Sequence, residues 1–247
     1  MASKTPAPPS HAARPLVLEV RNPPAGMSYR ELEDFRQQEI LKANGIGLTE
    51  NELILALEHP TNVLQAAAAH VLGASGSRAA DKQLVQLMSS VDDLVKVEAA
   101  YALARLGLRV GIDGLLDGLA LPLEGYIAAP LAAGYLARLN DPRGFQILVR
   151  GLDSRFPEIR MIACKQLYFF ARWQGQLDPD GQRIDVYRQF GRALQDSSAD
   201  IAWQALMQLR EIPSPQLRSV LVDYIAKPHD VQSQGVAREI LQEIESP

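Results

Sequence analysis

Apolar residues recur along the chain at a long, regular period from residue 49 onward. One column of apolar positions has gaps of 31, 31, 33, 42 and 31 residues and consists of Leu57, Met88, Leu119, Leu152, Leu194 and Ile225. A second column has gaps of 31, 33, 31 and 42 residues and consists of Leu72, Leu103, Leu136, Leu167 and Leu209. Two columns whose successive gaps agree within two residues, including the same long gap of 42, indicate a repeated structural unit, and a period in this range is typical of a solenoid.

Each unit is predicted to be two helices joined by a short turn. The turns contain the Asp, Ser, Asn and Pro residues that cap and start helices, at 58–62, 89–93, 153–157, 196–200 and 227–230. The second helices are rich in Ala, which lets neighbouring helices approach closely. Because no segment sustains a period of two, the sequence predicts an all-α fold, a right-handed α-solenoid of about six helix-turn-helix units.

Three segments are expected along the chain. Residues 1–26 form an extended Pro-rich arm, whose apolar run at 16–20 could be mobile, form an edge strand, or lie in a groove of its own chain or a partner. Residues 27–48 form an N-terminal capping helix and turn, which a capping box at 28–31 begins and an Asn-Gly pair at 44–45 ends. Residues 49–247 form the repeat domain, whose last unit is weak.

The residues of these units resemble HEAT-like repeats. Paired Leu residues precede a turn with Asp or Pro, and then come a Val-Arg-like pair, Ala-Ala, Leu and Gly; the pair stands here as Val95-Lys96 and Ile159-Arg160. The pattern is similar to the short repeats found in phycobilisome lyases and in deoxyhypusine hydroxylase. The resemblance covers about residues 49–244 and implies the solenoid fold without a particular function. The His-Glu pairs by which deoxyhypusine hydroxylase holds its di-iron centre are missing, so that activity is not implied.

Composition narrows the class of protein. An apolar fraction of 47% is enough for a core, and a net charge of −4 argues against a generic binder of nucleic acid or anionic membranes. A single cysteine, Cys164, excludes an intrachain disulfide framework. No apolar run reaches the length of a membrane span, and residues 1–20 lack the apolar core of a secretory signal. We therefore expect a cytoplasmic protein.

The sequence offers no recognisable catalytic constellation. The four histidines are not at metal-ligand spacing, and there is no phosphate loop or nucleophile elbow. Cys164 lies in a predicted helix without a His partner and is interpreted as a core residue. The run Asp178-Pro179-Asp180-Gly181 lacks the ligands of a calcium loop and is interpreted as a turn. We expect no cofactor and no metal, and we favour a protein that is not an enzyme.

The second helices are expected to line a concave groove. Counted from the first apolar residue of each helix, positions two and six should face the groove, yet several of them are apolar. The predicted partner-binding residues are Val97, Tyr101, Met161, Lys165, Tyr168, Trp203 and Met207. Such a stripe is typical of a contact surface, although core packing and a homodimer seam are alternative interpretations.

A basic stripe also follows the second helices, at Lys96, Arg105, Arg138, Arg160, Lys165, Arg172 and Arg210. Several of these residues lie near helix C-termini, where a cation is favourable. Lys96 and Arg160 are expected to pair with turn acids, Asp92 or Asp153. The alternative to these structural roles is that Lys96, Arg160 and Arg172 contact an anionic ligand.

The leading hypothesis is a non-enzymatic adaptor or scaffold that holds a segment of another protein in the concave groove. The alternative is a ligand-handling protein of the bilin-lyase or chaperone kind, in which Arg160 and Arg172 would hold tetrapyrrole propionates. A third is a nucleic-acid-binding protein, for which Trp173 and Trp203 invite comparison with HEAT-like DNA glycosylases.

Overall fold

The computed structural model describes residues 27, 29–123, 127–227 and 229–245, and these contain thirteen α-helices. The helices are α1 (Tyr29–Ala43), α2 (Glu50–Ala56), α3 (Asn62–Ser75), α4 (Asp81–Leu87), α5 (Asp93–Arg105), α6 (Arg109–Gly118), α7 (Ala128–Arg138), α8 (Phe145–Gly151), α9 (Pro157–Leu167), α10 (Val186–Ala193), α11 (Ala199–Glu211), α12 (Arg218–Ile225) and α13 (Val231–Glu245). Two 3-10 helices lie at Tyr168–Trp173 and Pro215–Leu217. In these described ranges the only β pairing is an isolated bridge between Leu177 and Arg183.

Helices α2 to α13 form six consecutive pairs, and the second helix of each pair packs against the second helix of the next. Helices α3, α5, α7, α9, α11 and α13 therefore make one continuous layer, and the first helices pack on it. This arrangement confirms the all-α solenoid. Among the described helices, none combines the length and the apolar character needed to cross a bilayer.

The two apolar columns mark helix ends and core positions. Five residues of the first column are helix C-caps, whose backbone N–H groups bond back into the last turn: Leu57, Met88, Leu119, Leu152 and Leu194. The second column is sealed completely from solvent at Leu72, Leu103, Leu136, Leu167 and Leu209. Each of the first five repeats of the sequence therefore places one Leu of the second column in the core.

Glycines on α6 allow it to lie directly on α5. A Cβ on Gly111 would stand 2.3 Å from the backbone nitrogen of Ala104, and a Cβ on Gly114 would stand 3.0 Å from the Ala100 side chain. Helix α5 also packs against α3, α4 and α7, so it has neighbours on four sides. Burial therefore extends around α5, and all eleven residues of α7 are buried.

The longer gap between the fourth and fifth units holds a short insertion closed by Asp178. The Asp178 carboxylate accepts hydrogen bonds from the backbone N–H groups of Asp180, at 3.0 Å, and Gln182, at 2.8 Å. Gly181 has φ +77° there, a conformation that favours glycine. The segment is a turn organised by its aspartate, as its Asp-Pro-Asp-Gly sequence indicates.

Candidate functional site

Helix α1 packs on α3 and reaches toward α5 through Asp34. The Asp34 Oδ1 atom lies 2.8 Å from His70 Nε2 and 2.8 Å from Arg105 Nη1. The second carboxylate oxygen of Asp34 accepts from Arg105 Nη2 at 3.1 Å. Burial alone would raise the pKa of Asp34, but the hydrogen bonds from His70 and Arg105 hold it far below its usual range. We use the term inner face for the surface of the second-helix layer that carries His70, Tyr101, Arg105 and Arg138.

A buried polar network joins three second helices beneath α1. His70 Nδ1 of α3 lies 2.9 Å from Glu98 Oε2 of α5, and the Tyr135 hydroxyl of α7 donates to Glu98 Oε1. Burial alone would lower the pKa of His70, but the charge of Glu98 and the hydrogen bonds from His70 to Asp34 and Glu98 raise it to about 10. The imidazole is therefore a protonated group that donates to both carboxylates.

Aromatic rings and a guanidinium cover the same surface next to this network. The rings of Tyr101 and Tyr135 stack with centroids 3.8 Å apart and planes at 9°. The Arg138 guanidinium carbon lies 5.2 Å from the Tyr135 ring centroid and 4.2 Å from that of Phe169. Burial raises the pKa of Glu33 on α1, but the charges of Arg138 and His70 outweigh it and hold that pKa below its usual range. The carboxylates of α1 thus face the cations of the inner face.

Two of the predicted groove residues are core residues. Val97 is 1% exposed and Tyr101 is 0% exposed, so the prediction that they line an open groove was wrong. Val97 faces α6 and α7: its Cγ2 lies 3.2 Å from where a Cβ on Gly118 would stand. Tyr101 is covered by the stacked ring of Tyr135 and by neighbouring cations. The prediction assumed that one side of each second helix is wet, whereas α5 is enclosed by four helices.

The other five predicted residues are partly exposed and lie on neighbouring elements. Met161 and Lys165 are on α9, Tyr168 begins the following 3-10 helix, and Trp203 and Met207 are one turn apart on α11. Helices α9 and α11 are in contact, and Gln208 Nε2 donates to the Lys165 carbonyl at 2.8 Å. Burial raises the pKa of Tyr168, and Glu211 at the end of α11 raises it further. The structure thus gathers these side chains at the C-terminal half of the layer.

The candidate anion contacts already have partners within the chain. Lys96 Nζ lies 2.9 Å from Asp93, and Arg160 Nε lies 2.7 Å from Asp196 Oδ2, in the turn of the next unit. The predicted pairings with Asp92 and Asp153 were therefore wrong: Asp92 caps α5 at the Val95 N–H, and Asp153 pairs with Arg192.

Arg172 donates to the Asn140 side chain, and its guanidinium carbon lies 5.2 Å from the Trp173 ring centroid. Cys164 is buried, and this burial raises the pKa of its thiol to about 12. Across the described residues, no group of His, Cys, Asp and Glu has an arrangement that could hold a metal ion. The apolar run at 16–20, which was a candidate occupant of the groove, lies outside the described residues.

Sequence reasoning missed the carboxylates of the inner face. Asp34 and Glu98 lie 36 and 28 residues from the histidine that they contact, so no local spacing relates them. A signal was present in α5, where Glu98 stands within an otherwise apolar run three residues before Tyr101. A charge among such residues indicates a buried partner, because an isolated buried charge is costly.

Comparison with known proteins agrees with this architecture. Residues 50–130 match the family model of HEAT repeats. No curated protein matches the chain in sequence. Among solved structures, one engineered protein is similar at 20% identity and a TM-score of 0.47 over 78% of this chain and 95% of its own.

A second engineered protein is similar at 21% identity and a TM-score of 0.46, over 86% of this chain and 61% of its own. The complex of CpcE and CpcF of phycocyanin lyase from Nostoc sp. PCC7120 is similar at 14% identity and a TM-score of 0.44, over 92% of this chain and 99% of that chain. The match to HEAT repeats covers residues 50–130, and the helix pairs continue to residue 245, so the chain has a HEAT-like repeat architecture.

Proposed function

We propose that this protein is a non-enzymatic adaptor that binds a segment of a partner protein on α9 and α11. The observation that carries the proposal is a contrast in exposure along the second-helix layer. Tyr101 and Tyr135 are sealed on α5 and α7, whereas Met161 and Trp203 remain partly exposed on α9 and α11. The C-terminal half of the layer therefore presents large apolar side chains that another molecule can cover.

The chemistry of this half favours an apolar segment with an acidic residue beside it. Trp is frequent among the residues that dominate binding energy at protein interfaces, and Met adapts its shape to different partners. Lys165 adds a cation to the patch formed by Met161, Tyr168, Trp203 and Met207. Burial together with the charge of Arg36 on α1 lowers the pKa of Lys165. A carboxylate on the partner would relieve this repulsion between cations.

The direct test is the double variant Met161→Ala with Trp203→Ala, used in affinity capture from the native host. We expect its melting temperature to stay within a few degrees of wild type and its partner to be lost. Leu177→Ala, which truncates an apolar side chain that is 66% exposed in the insertion, is the matched control and should keep the partner. Capture of the same partner by the double variant would contradict the proposal.

A charge variant keeps the test informative if the double variant unfolds. Lys165→Gln removes the charge and keeps most of the aliphatic stem, so it should weaken capture of an acidic segment while leaving the fold intact. Unchanged capture by a folded Lys165→Gln variant would count against an acidic partner.

The two alternative functions gain no support from this geometry. The tetrapyrrole hypothesis relies on Arg160 and Arg172, whose side chains already bond to Asp196 and Asn140. Nucleic-acid binding relies on the basic stripe, but Lys96, Arg105 and Arg160 are each paired with an aspartate. Both hypotheses remain predictions. An absorption shift with added bilin would support the first, and salt-dependent binding of DNA would support the second.

A further inference from the structure

The two halves of α1 are held on the second-helix layer by different forces. In the C-terminal half, Leu41 is 0% exposed, and Ile40 packs against the same apolar cluster, which includes residues of α2 and α3. In the N-terminal half, the described apolar side chains Leu32 and Phe35 are only partly buried. Apolar burial therefore anchors the end of α1 near residue 41, and a different interaction must position the beginning of the helix.

That interaction is electrostatic. Asp34 accepts hydrogen bonds from His70 and Arg105, and Glu33 lies in the field of Arg138 and His70. Two adjacent carboxylates of α1 thus oppose three cations of the inner face. If α1 leaves, His70 keeps Glu98 but Arg105 loses the carboxylate to which it donates, and a carboxylate from another helix would restore that pairing.

We propose that the N-terminal half of α1 is a displaceable occupant of a docking site for an acidic helix of a partner protein. Its displacement would uncover His70, Arg105 and Arg138 beside the Tyr101 ring. The charge of Glu33 also acts on Lys165, so this surface adjoins the patch on α9 and α11. The inference rests on the proposed binding function and extends it, because it makes α1 a regulator of how much of the inner face a partner can reach.

Backbone hydrogen bonds fix the C-terminal end of α1. Asn44 and Gly45 follow the helix, Gly45 has φ +80°, and the Ile46 N–H bonds back to the Leu41 carbonyl at 3.0 Å. This closed end keeps the apolar anchor in place, so the charged half leaves by unwinding of the helix between residues 35 and 39. A tether this short gives α1 an effective concentration of about millimolar at its site, so a competing helix must bind more tightly than α1 does.

The test uses a fluorescent peptide of residues 29–39, which has the charged half of α1 without its apolar anchor, and the full chain as its receptor. Wild type should bind the peptide weakly, since its own α1 occupies the site. The variant Asp34→Asn should bind it at least about tenfold more tightly, because loss of charged hydrogen bonds releases the cis helix. Asp93→Asn, which removes the surface pair with Lys96, is the matched control and should behave as wild type.

Three results would overturn the proposal. The first is equal affinity of wild type and Asp34→Asn for the peptide. The second is unchanged binding when the peptide itself carries Glu33→Gln and Asp34→Asn, since carboxylates would then not be recognised. The third is a dimer of Asp34→Asn in light scattering, which would make a second copy of the chain the occupant.

Hydrogen exchange on the wild-type chain gives a measurement that does not depend on any variant. Amides of residues 31–38 should exchange faster than those of α3, and saturating peptide should accelerate them further while α3 stays protected. Exchange of 31–38 as slow as that of α3, unchanged by peptide, would overturn the proposal. The capture experiment with Met161→Ala and Trp203→Ala is separate, so failure of either idea can be recognised without the other.

Discussion

His70 Nδ1 lies 2.9 Å from Glu98 Oε2, and neither side chain is more than 3% exposed. This pair links α3 to α5, and Tyr135 extends it to α7. A charged pair at this depth is stabilising only while both members are present, because removing one leaves an uncompensated charge.

Removal of the glutamate should therefore be severe. We expect Glu98→Ala to lower the free energy of unfolding by about 3–5 kcal/mol, since it strands a protonated His70 and the Tyr135 hydroxyl. Urea denaturation measures the loss. Asp93→Ala, which breaks the surface pair with Lys96, should cost only about 0.2–1 kcal/mol. Equal losses in the two variants would show that Glu98 is not paired in the folded state.

The free energy of unfolding should fall as the pH rises above 6.5, because His70 loses its proton. Its pKa is raised from about 6.5 in the unfolded chain to about 10 in the folded protein. The stabilisation is therefore complete below pH 6.5 and is lost as the pH rises through 10. Urea unfolding between pH 6 and 9 should show the decline, and His70→Gln should flatten it. Parallel curves for the two proteins would contradict the assignment.

Two helical glycines should respond in opposite directions to alanine. A Cβ on Gly111 would meet backbone atoms of α5 at 2.3 and 2.5 Å, whereas a Cβ on Gly235 of α13 would meet nothing within 4 Å. Gly235→Ala should raise the free energy of unfolding by about 0.5–1 kcal/mol through helix propensity alone. Gly111→Ala should lower it, because backbone cannot move aside as a flexible side chain can. Thermal melts of both variants compare them directly, and stabilisation by Gly111→Ala would disprove the close contact.

The Cys164 thiol should be unreactive in the folded protein. Burial raises its pKa to about 12, and thiol reagents attack the thiolate. Ellman's reagent at pH 8 should label the native chain only as fast as it opens and should label the unfolded chain at once in guanidinium. Because this is the only cysteine, the labelling signal has one source. Rapid labelling without denaturant would mean that α9 is not packed as described.

The sequence predicted the structure at positions that follow the repeat, and it did not predict contacts between residues that are distant in the chain. Leu57 and Leu72 recur because each unit must end a helix and enter the core, so periodicity found the helix pairs. Val97 and Tyr101 were wrongly predicted to face an open groove, because a helical pattern assigns one buried side to a helix. The pattern does not show how many other helices surround it. Ala-rich helices are ambiguous in this respect, since Ala is tolerated on either side.

The candidate site was predictable only in part for a related reason. Met161 and Trp203 stand out as large apolar residues at positions expected to be wet, and both are partly exposed. Asp34 could not be connected to His70, because the contact depends on the path of α1 across the layer. That path depends on tertiary contacts: burial of Leu41 fixes one end of α1, and the ion pairs of Asp34 fix the other.

The glycines of α6 have a consequence for how modular this array is. Gly111, Gly114 and Gly118 all face neighbouring helices at distances that no larger residue could adopt without a shift. The second and third units consequently fit each other and would not fit a transplanted neighbour that lacked them. Gly73 of α3 makes a similar approach, 2.5 Å from its added Cβ to the Ala102 backbone of α5, so units could be shuffled or duplicated only where the new neighbour accepts these close contacts.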